Sequence, residues 1–158
     1  MENQDEKYMR RVFTLVQDSL SNNDYPFGAL IVKDGEIIAE DINTGTTDIT
    51  GHAEVNVIKK AVKVLKTRNL SGCTLYSNFE PCAMCSFVAR DCNISRVVFS
   101  VLSPHWGGYS RWNILSNEIK DPLFTSAQAT NIPEILPGVL KEEGEKFFDE
   151  LNWNMHIK

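Results

Sequence analysis

The chain has 158 residues, enough for one ordinary domain that buries roughly 68–70% of the surface its unfolded form exposes, so it needs no covalent staple. Sixteen lysines and arginines against 21 aspartates and glutamates give a net charge of -5, which disfavours a broad nucleic-acid footprint and suits small uncharged ligands better. There is no run of about eighteen apolar residues, which excludes a membrane-spanning helix, and four cysteines behind a polar, acidic opening predict a reducing, cytoplasmic setting rather than a disulfide framework.

In chain order, Tyr8, Met9, Val12, Leu15, Val16 and Leu20 recur at helical spacing and predict an amphipathic helix over 5–20, ended by Ser21-Asn22-Asn23-Asp24 and Pro26. Residues 29–33 and 36–39 are apolar runs joined by Asp34-Gly35, a pair suited to the positive φ of a tight turn, and predict an antiparallel hairpin. Val55, Ile58, Ala61, Val62 and Leu65 predict a helix over 52–66, with lysines on its other face. Thr74-Leu75-Tyr76 reads as a strand leading to Pro81, placed as the first residue of a helix that runs to about 91. Residues 96–101 form a buried-strand pattern, 103–109 a loop, 110–120 a further helix and 133–136 a short last strand. Val139, Leu140, Phe147, Phe148 and Leu151 predict a C-terminal helix. No repeat, low-complexity segment or linker divides the chain, so 1–158 reads as a single domain. The expected fold class is α/β, a three-layer α/β/α sandwich around a mixed five-stranded sheet.

Four residues fall at spacings that chemistry explains. Cys82 and Cys85 stand three apart at a helix start, where i and i+3 share one side and the helix dipole favours thiolates. His52 opens another helix and adds an imidazole nitrogen, completing a His/Cys/Cys set suited to one tetrahedral Zn2+ per chain. Structural zinc is closed by four protein ligands, whereas catalytic zinc keeps a position for water. Cys92 lies about 10 Å beyond Cys85 along the same helix at 1.5 Å per residue, Cys73 starts a strand, and His105 and His156 sit in loop-like or terminal segments. No fourth ligand announces itself. Glu54, two residues after His52, can lean toward the open side and take a proton from a bound water whose pKa the metal lowers to about 7.

These residues resemble the zinc-dependent cytidine/deoxycytidylate deaminase superfamily, with its H-x-E and P-C-x-x-C pattern, over about residues 8–101. Within it the chain is most similar to the branch of guanine deaminases, tRNA-specific adenosine deaminases and fungal cytosine deaminase. The carrying pieces are Pro26-Phe27-Gly28-Ala29, Asn43, His52-Ala53-Glu54 and Glu80-Pro81-Cys82-Ala83-Met84-Cys85. The resemblance implies a cytidine deaminase-like fold, with His52, Cys82 and Cys85 on zinc, Glu54 as proton shuttle, and Asn43 and Phe27 at the substrate; Ala53 and, from the loop beyond the resemblance, Trp106 are further expected substrate contacts. It implies hydrolysis at an amino-bearing ring carbon with release of ammonia, and a homodimer with its interface near 86–101.

After Val101 the chain reads SPHWGGYSRWNILSN and leaves the familiar pattern. Trp106, Tyr109 and Trp112 with Arg111 could stack on a heterocycle or on bases, or pack at a subunit interface. The C-terminal segment with Trp153 and His156 could cover the chain's own pocket or a neighbour's. The leading expectation is deamination of a free base, guanine first. The alternatives are a tRNA wobble adenosine deaminase, suggested by 135–143, a catalytically silent partner subunit, and a zinc-stapled module without chemistry.

Overall fold

The structure, a computed structural model, describes residues 3–116 and 131–153. Its elements in chain order are α1 (Gln4–Ser21), β1 (Gly28–Lys33), β2 (Glu36–Ile42), α2 (Ala53–Leu65), β3 (Cys73–Phe79), α3 (Ala83–Asp91), β4 (Arg96–Val101), β5 (Glu134–Pro137) and α4 (Lys141–Glu150). The sheet order is β2-β1-β3-β4-β5. β1 is antiparallel to both β2 and β3, while β3, β4 and β5 run parallel. This is the expected mixed five-stranded sheet, and no helix among the described residues is long and apolar enough to cross a membrane.

Local chemistry explains the elements. Asn3 caps α1 reciprocally: its side chain accepts the Glu6 amide at 2.9 Å while the Glu6 carboxylate accepts the Asn3 amide. Asp34 and Gly35 both take positive φ, as the hairpin turn requires. The buried stripe of α1, namely Tyr8, Met9, Val12 and Leu15, packs with Leu30, Val32, Tyr76 and Val98 on one face of the sheet, joined there by Val139 and Leu140 ahead of α4. α2 and α3 cover the other face through Val57, Ile58, Ala61 and Ala89 against Ile31, Leu75, Val97 and Phe99. A strand buried on both sides reads as an unbroken apolar run, which is why β4 has no polar alternation.

Two expectations change. Pro81 does not begin a helix. Cys82 is the extended N-cap of α3 (φ -66°, ψ 174°), because Cys82 bridges to Gly107 and the Pro81 carbonyl accepts the Gly108 amide at 2.8 Å. The helix proposed for 110–120 is absent over 110–116, where the chain turns around a glycine pair: Arg111 and Trp112 donate to the Gly107 carbonyl, Ile114 and Leu115 to that of Gly108. Residues 117–120 lie outside the described residues.

The topology decides where chemistry can sit. Crevices in such sheets open beyond the carboxyl ends of parallel strands. At that end the last residues of β3 and β4, the residue before β1 and the residue after β2 meet the N-termini of α2 and α3.

Candidate metal centre and active site

His52 and Cys82 are the N-caps of α2 and α3, and Cys85 lies in the first turn of α3. Both helices therefore aim positive dipole ends at one point. Cys82 Sγ lies 3.6 Å from His52 Nδ1 and 3.5 Å from Cys85 Sγ, and Cys85 Sγ is 3.5 Å from His52 Nδ1. A tetrahedral ion with sulfur at about 2.3 Å and nitrogen at about 2.05 Å spaces its ligands about 3.8 Å (S to S) and about 3.6 Å (S to N). The three donors are set for zinc within a few tenths of an ångström, and they are the group of ligand-type side chains found within reach of one ion among the described residues. Cys73 and Cys92 are buried elsewhere.

Glu54 is 5% exposed, in the first turn of α2. Its Oε1 accepts the Ser77 hydroxyl at 3.0 Å, and Oε2 stands 3.6 Å from Cys85 Sγ, so one oxygen is anchored and the other faces the ligand trio. Burial pushes the Glu54 carboxyl up, with the neighbouring Cys82 charge adding to it. Cys82 is held down at about 4, chiefly by the hydrogen bond from Cys85 and also by His52, while Cys85 is raised by that same bond and by burial. His52 is raised by its bond to Cys82.

Beside the trio is a cavity of about 270 Å3 lined by Phe27, His52, Glu54, Phe79, Glu80, Cys82, Ser103 and Trp106. Phe27 and Phe79 lie 5.6 Å apart by ring centroid and are backed by Phe148 and, on Phe27, by Trp153. Asn78 fixes the Phe27 turn by accepting the Gly28 amide at 3.0 Å and donating to the Pro26 carbonyl at 2.9 Å. Of the residues expected at substrate, Phe27 and Trp106 line this cavity. Ala53 is fully buried in the core cluster, outside the lining set. Asn43 is 3% exposed, and its amide nitrogen donates to Asp24 Oδ1 at 2.7 Å. Asp24 in turn accepts the Thr46 hydroxyl and the Tyr25 and Thr46 amides. Against burial, which alone would raise it, these bonds hold Asp24 down at about 2.

The aromatic group of the divergent loop separates in space. Trp106 faces the cavity, Tyr109 packs inward on Phe99 at 6.2 Å, and Trp112 lies exposed beneath the Arg111 guanidinium at 5.3 Å. Trp153 meets Phe27 and Tyr25 of its own chain, while His156 lies outside the described residues. Sequence reasoning missed Ser77, Phe79, Ser103 and the loop partner of Glu80. The one available signal was Gly107-Gly108, where a Cβ on Gly107 would stand 2.0 Å from the Glu80 carboxylate.

With the geometry in hand, comparison with known proteins gives a consistent picture. A tRNA-specific adenosine deaminase of Bacillus subtilis is 37% identical over 142 residues, covering 89% of this chain and 83% of that protein. A guanine deaminase of Bacillus subtilis is 49% identical over 83 residues, about half of each chain. A solved guanine deaminase of the same organism superposes with a TM-score of 0.61 at 32% identity, covering 100% of this chain and 98% of that one. The family model for the cytidine and deoxycytidylate deaminase zinc-binding region matches residues 2–101, and the chain accordingly belongs to this zinc-binding deaminase family.

Proposed function

We propose that the protein deaminates a free amino-purine base, guanine foremost, by hydrolysis to the oxo-base and ammonia. The observation that carries this reading is the cavity beside the ligand trio: it is walled by the flat rings of Phe27, Phe79 and Trp106, and among the described residues its lining holds no lysine or arginine to meet a phosphate. The net charge of -5 points the same way.

His52, Cys82 and Cys85 would hold the zinc. Bound there, the metal supplies a water whose pKa is lowered from 15.7 to about 7. Glu54 does the proton work. Its Oε2 faces the trio and takes a proton from the attacking water, while Oε1 stays anchored on Ser77. Glu54 delivers that proton to the purine ring nitrogen as the C–O bond forms, then takes the remaining hydroxyl proton and gives it to the amine, so that the C–N bond breaks, the oxo group forms and nitrogen leaves as ammonia. A carboxyl raised by burial holds a proton more firmly than a free one, which suits it to carry the proton from water to the base. The aromatic walls hold the ring plane, while Asn43, 3% exposed and bonded to Asp24, stands outside the cavity's lining residues.

A second reading, deamination of the wobble adenosine of a tRNA, is favoured by the long alignment with the Bacillus subtilis tRNA enzyme and by Arg111 stacked on exposed Trp112 beside the loop. In either reading the protein would work as a homodimer, with Phe87 of α3, 47% exposed, as part of the apolar contact near 86–101. The deciding experiment is ammonia release by zinc-loaded protein from guanine, adenine, cytosine, their nucleosides and an anticodon stem-loop. Release from guanine that vanishes in Glu54→Gln upholds the first reading. Release from the stem-loop alone overturns it in favour of the second.

A further inference from the structure

Glu80 is 2% exposed and forms no ion pair among the described residues, yet its carboxylate is fully engaged. Oε2 accepts the Ser103 amide at 2.8 Å and the Ser110 hydroxyl at 2.7 Å, and Oε1 accepts the Tyr109 amide at 3.0 Å and the Ser110 amide at 2.7 Å. Four donors from one loop converge on a single acceptor. Backbone bonds tie the same two segments together: the Ala83 amide donates to the Trp106 carbonyl at 3.1 Å, and the Gly108 amide to the Pro81 carbonyl at 2.8 Å. The glycine pair makes the approach feasible, since a Cβ on Gly107 would meet the Glu80 carboxylate at 2.0 Å and one on Gly108 the Ser86 hydroxyl at 2.0 Å. What the arrangement delivers is the far wall of the cavity: Trp106, and Ser103, which is 3% exposed and whose hydroxyl makes no hydrogen bond among the described residues.

We propose that Glu80 is a positioning residue for substrate selection, a carboxylate clamp that holds the 103–110 loop preformed against the zinc helix so that Trp106 and Ser103 present a fixed wall to the purine ring. The inference rests on the deaminase reading of the cavity, though not on which base is used. The clamp requires an acceptor-only group. In Glu80→Gln the amide NH2 faces either the Tyr109 and Ser110 amides or the Ser103 amide and the Ser110 hydroxyl; the hydroxyl can turn to accept, but at least one backbone amide loses its partner whichever way the side chain is turned. The wall then loosens while Glu54, His52 and the cysteines keep their places.

The test has two arms on zinc-loaded, full-length protein. In the first, hydrogen exchange is followed at the amides of Ser103, Tyr109 and Ser110 in wild type, Glu80→Gln and the gentler Ser110→Ala. The clamp predicts faster exchange there, graded between the two variants, with 86–91 unchanged. Exchange equal to wild type in both variants overturns it, and this arm needs no substrate. In the second, steady-state ammonia release is measured on whichever member of the panel above wild type turns over. Glu80→Gln is expected to raise KM about tenfold, with kcat changed by less than about threefold. On a Trp106→Ala background the same substitution should add little, because both act on one wall. Additive losses, or a fall in kcat with KM unchanged, overturn the positioning role. A Trp106→Ala variant with wild-type KM would instead discard Trp106 as a substrate wall, and a wild type inert on the whole panel would discard the reaction, each leaving the exchange result to stand by itself.

Discussion

Glu54→Gln isolates the proposed proton shuttle, because the replacement keeps the shape and keeps an oxygen for the Ser77 hydroxyl. What it removes is the proton-accepting atom that faces His52, Cys82 and Cys85. General acid–base groups contribute about 10²–10⁴-fold to rate. The structure argues for the upper end. Glu80 is the other acid in the cavity lining, and all its acceptor sites are taken by the 103–110 loop, so it cannot substitute. A loss of about 10³–10⁴ in kcat corresponds to about 4–5.5 kcal/mol of transition-state stabilisation at 1.36 kcal/mol per decade. The assay is ammonia release under saturating substrate, with zinc content measured on the same preparation. A variant that keeps its zinc and more than about a tenth of wild-type kcat would refute the assignment of Glu54 as the shuttle.

Further outcomes follow from other parts of the molecule. Phe99 is fully buried between β3, β5 and Tyr109, so Phe99→Ala should cost about 3–5 kcal/mol and lower the midpoint of urea unfolding without changing the slope. Chelation should lower the thermal midpoint and added zinc restore it, since a ligand at about 1,000 times its Kd stabilises by about 4 kcal/mol. His52→Ala should abolish most of that difference, and an unchanged midpoint on chelation of wild type would count against the metal centre. Asp24, held at about 2 against an ordinary value of 3.8, contributes stability that is present above about pH 4 and lost as pH falls through about 2. The stability gap between wild type and Asp24→Asn, followed by denaturation between pH 5 and 2, should therefore shrink on acidification, and a gap that widens would contradict the hydrogen-bond account.

The fold was legible wherever one physical pattern governed a stretch. The 3.6-residue spacing of Tyr8, Met9, Val12 and Leu15 marked α1, the Asp34-Gly35 turn marked the β1/β2 hairpin, and the apolar run at 97–99 marked a strand covered on both faces. His52, Glu54, Cys82 and Cys85 were legible because ligand chemistry and helix starts constrain spacing within a few residues. Residues 110–116 were misread as helix because their amides are taken by the Gly107 and Gly108 carbonyls, a contact that depends on how the loop folds back and not on periodicity.

The sequence by itself determined the His/Cys/Cys ligand set and the mixed sheet, and marked Glu54 as the candidate proton shuttle, since each depends on short-range spacing or on burial that repeats along an element. Only the tertiary structure decided that Phe79, Ser103 and Trp106 share one cavity, that Asp24 orients Asn43, and that Ser77 anchors Glu54 across 23 residues of chain. It alone revealed that Glu80 binds the 103–110 loop, a contact made when the ends of β3 and β4 come side by side. Hydrogen bonds between residues distant in sequence leave no periodic trace, because any donor at the right point in space would serve an acceptor equally well.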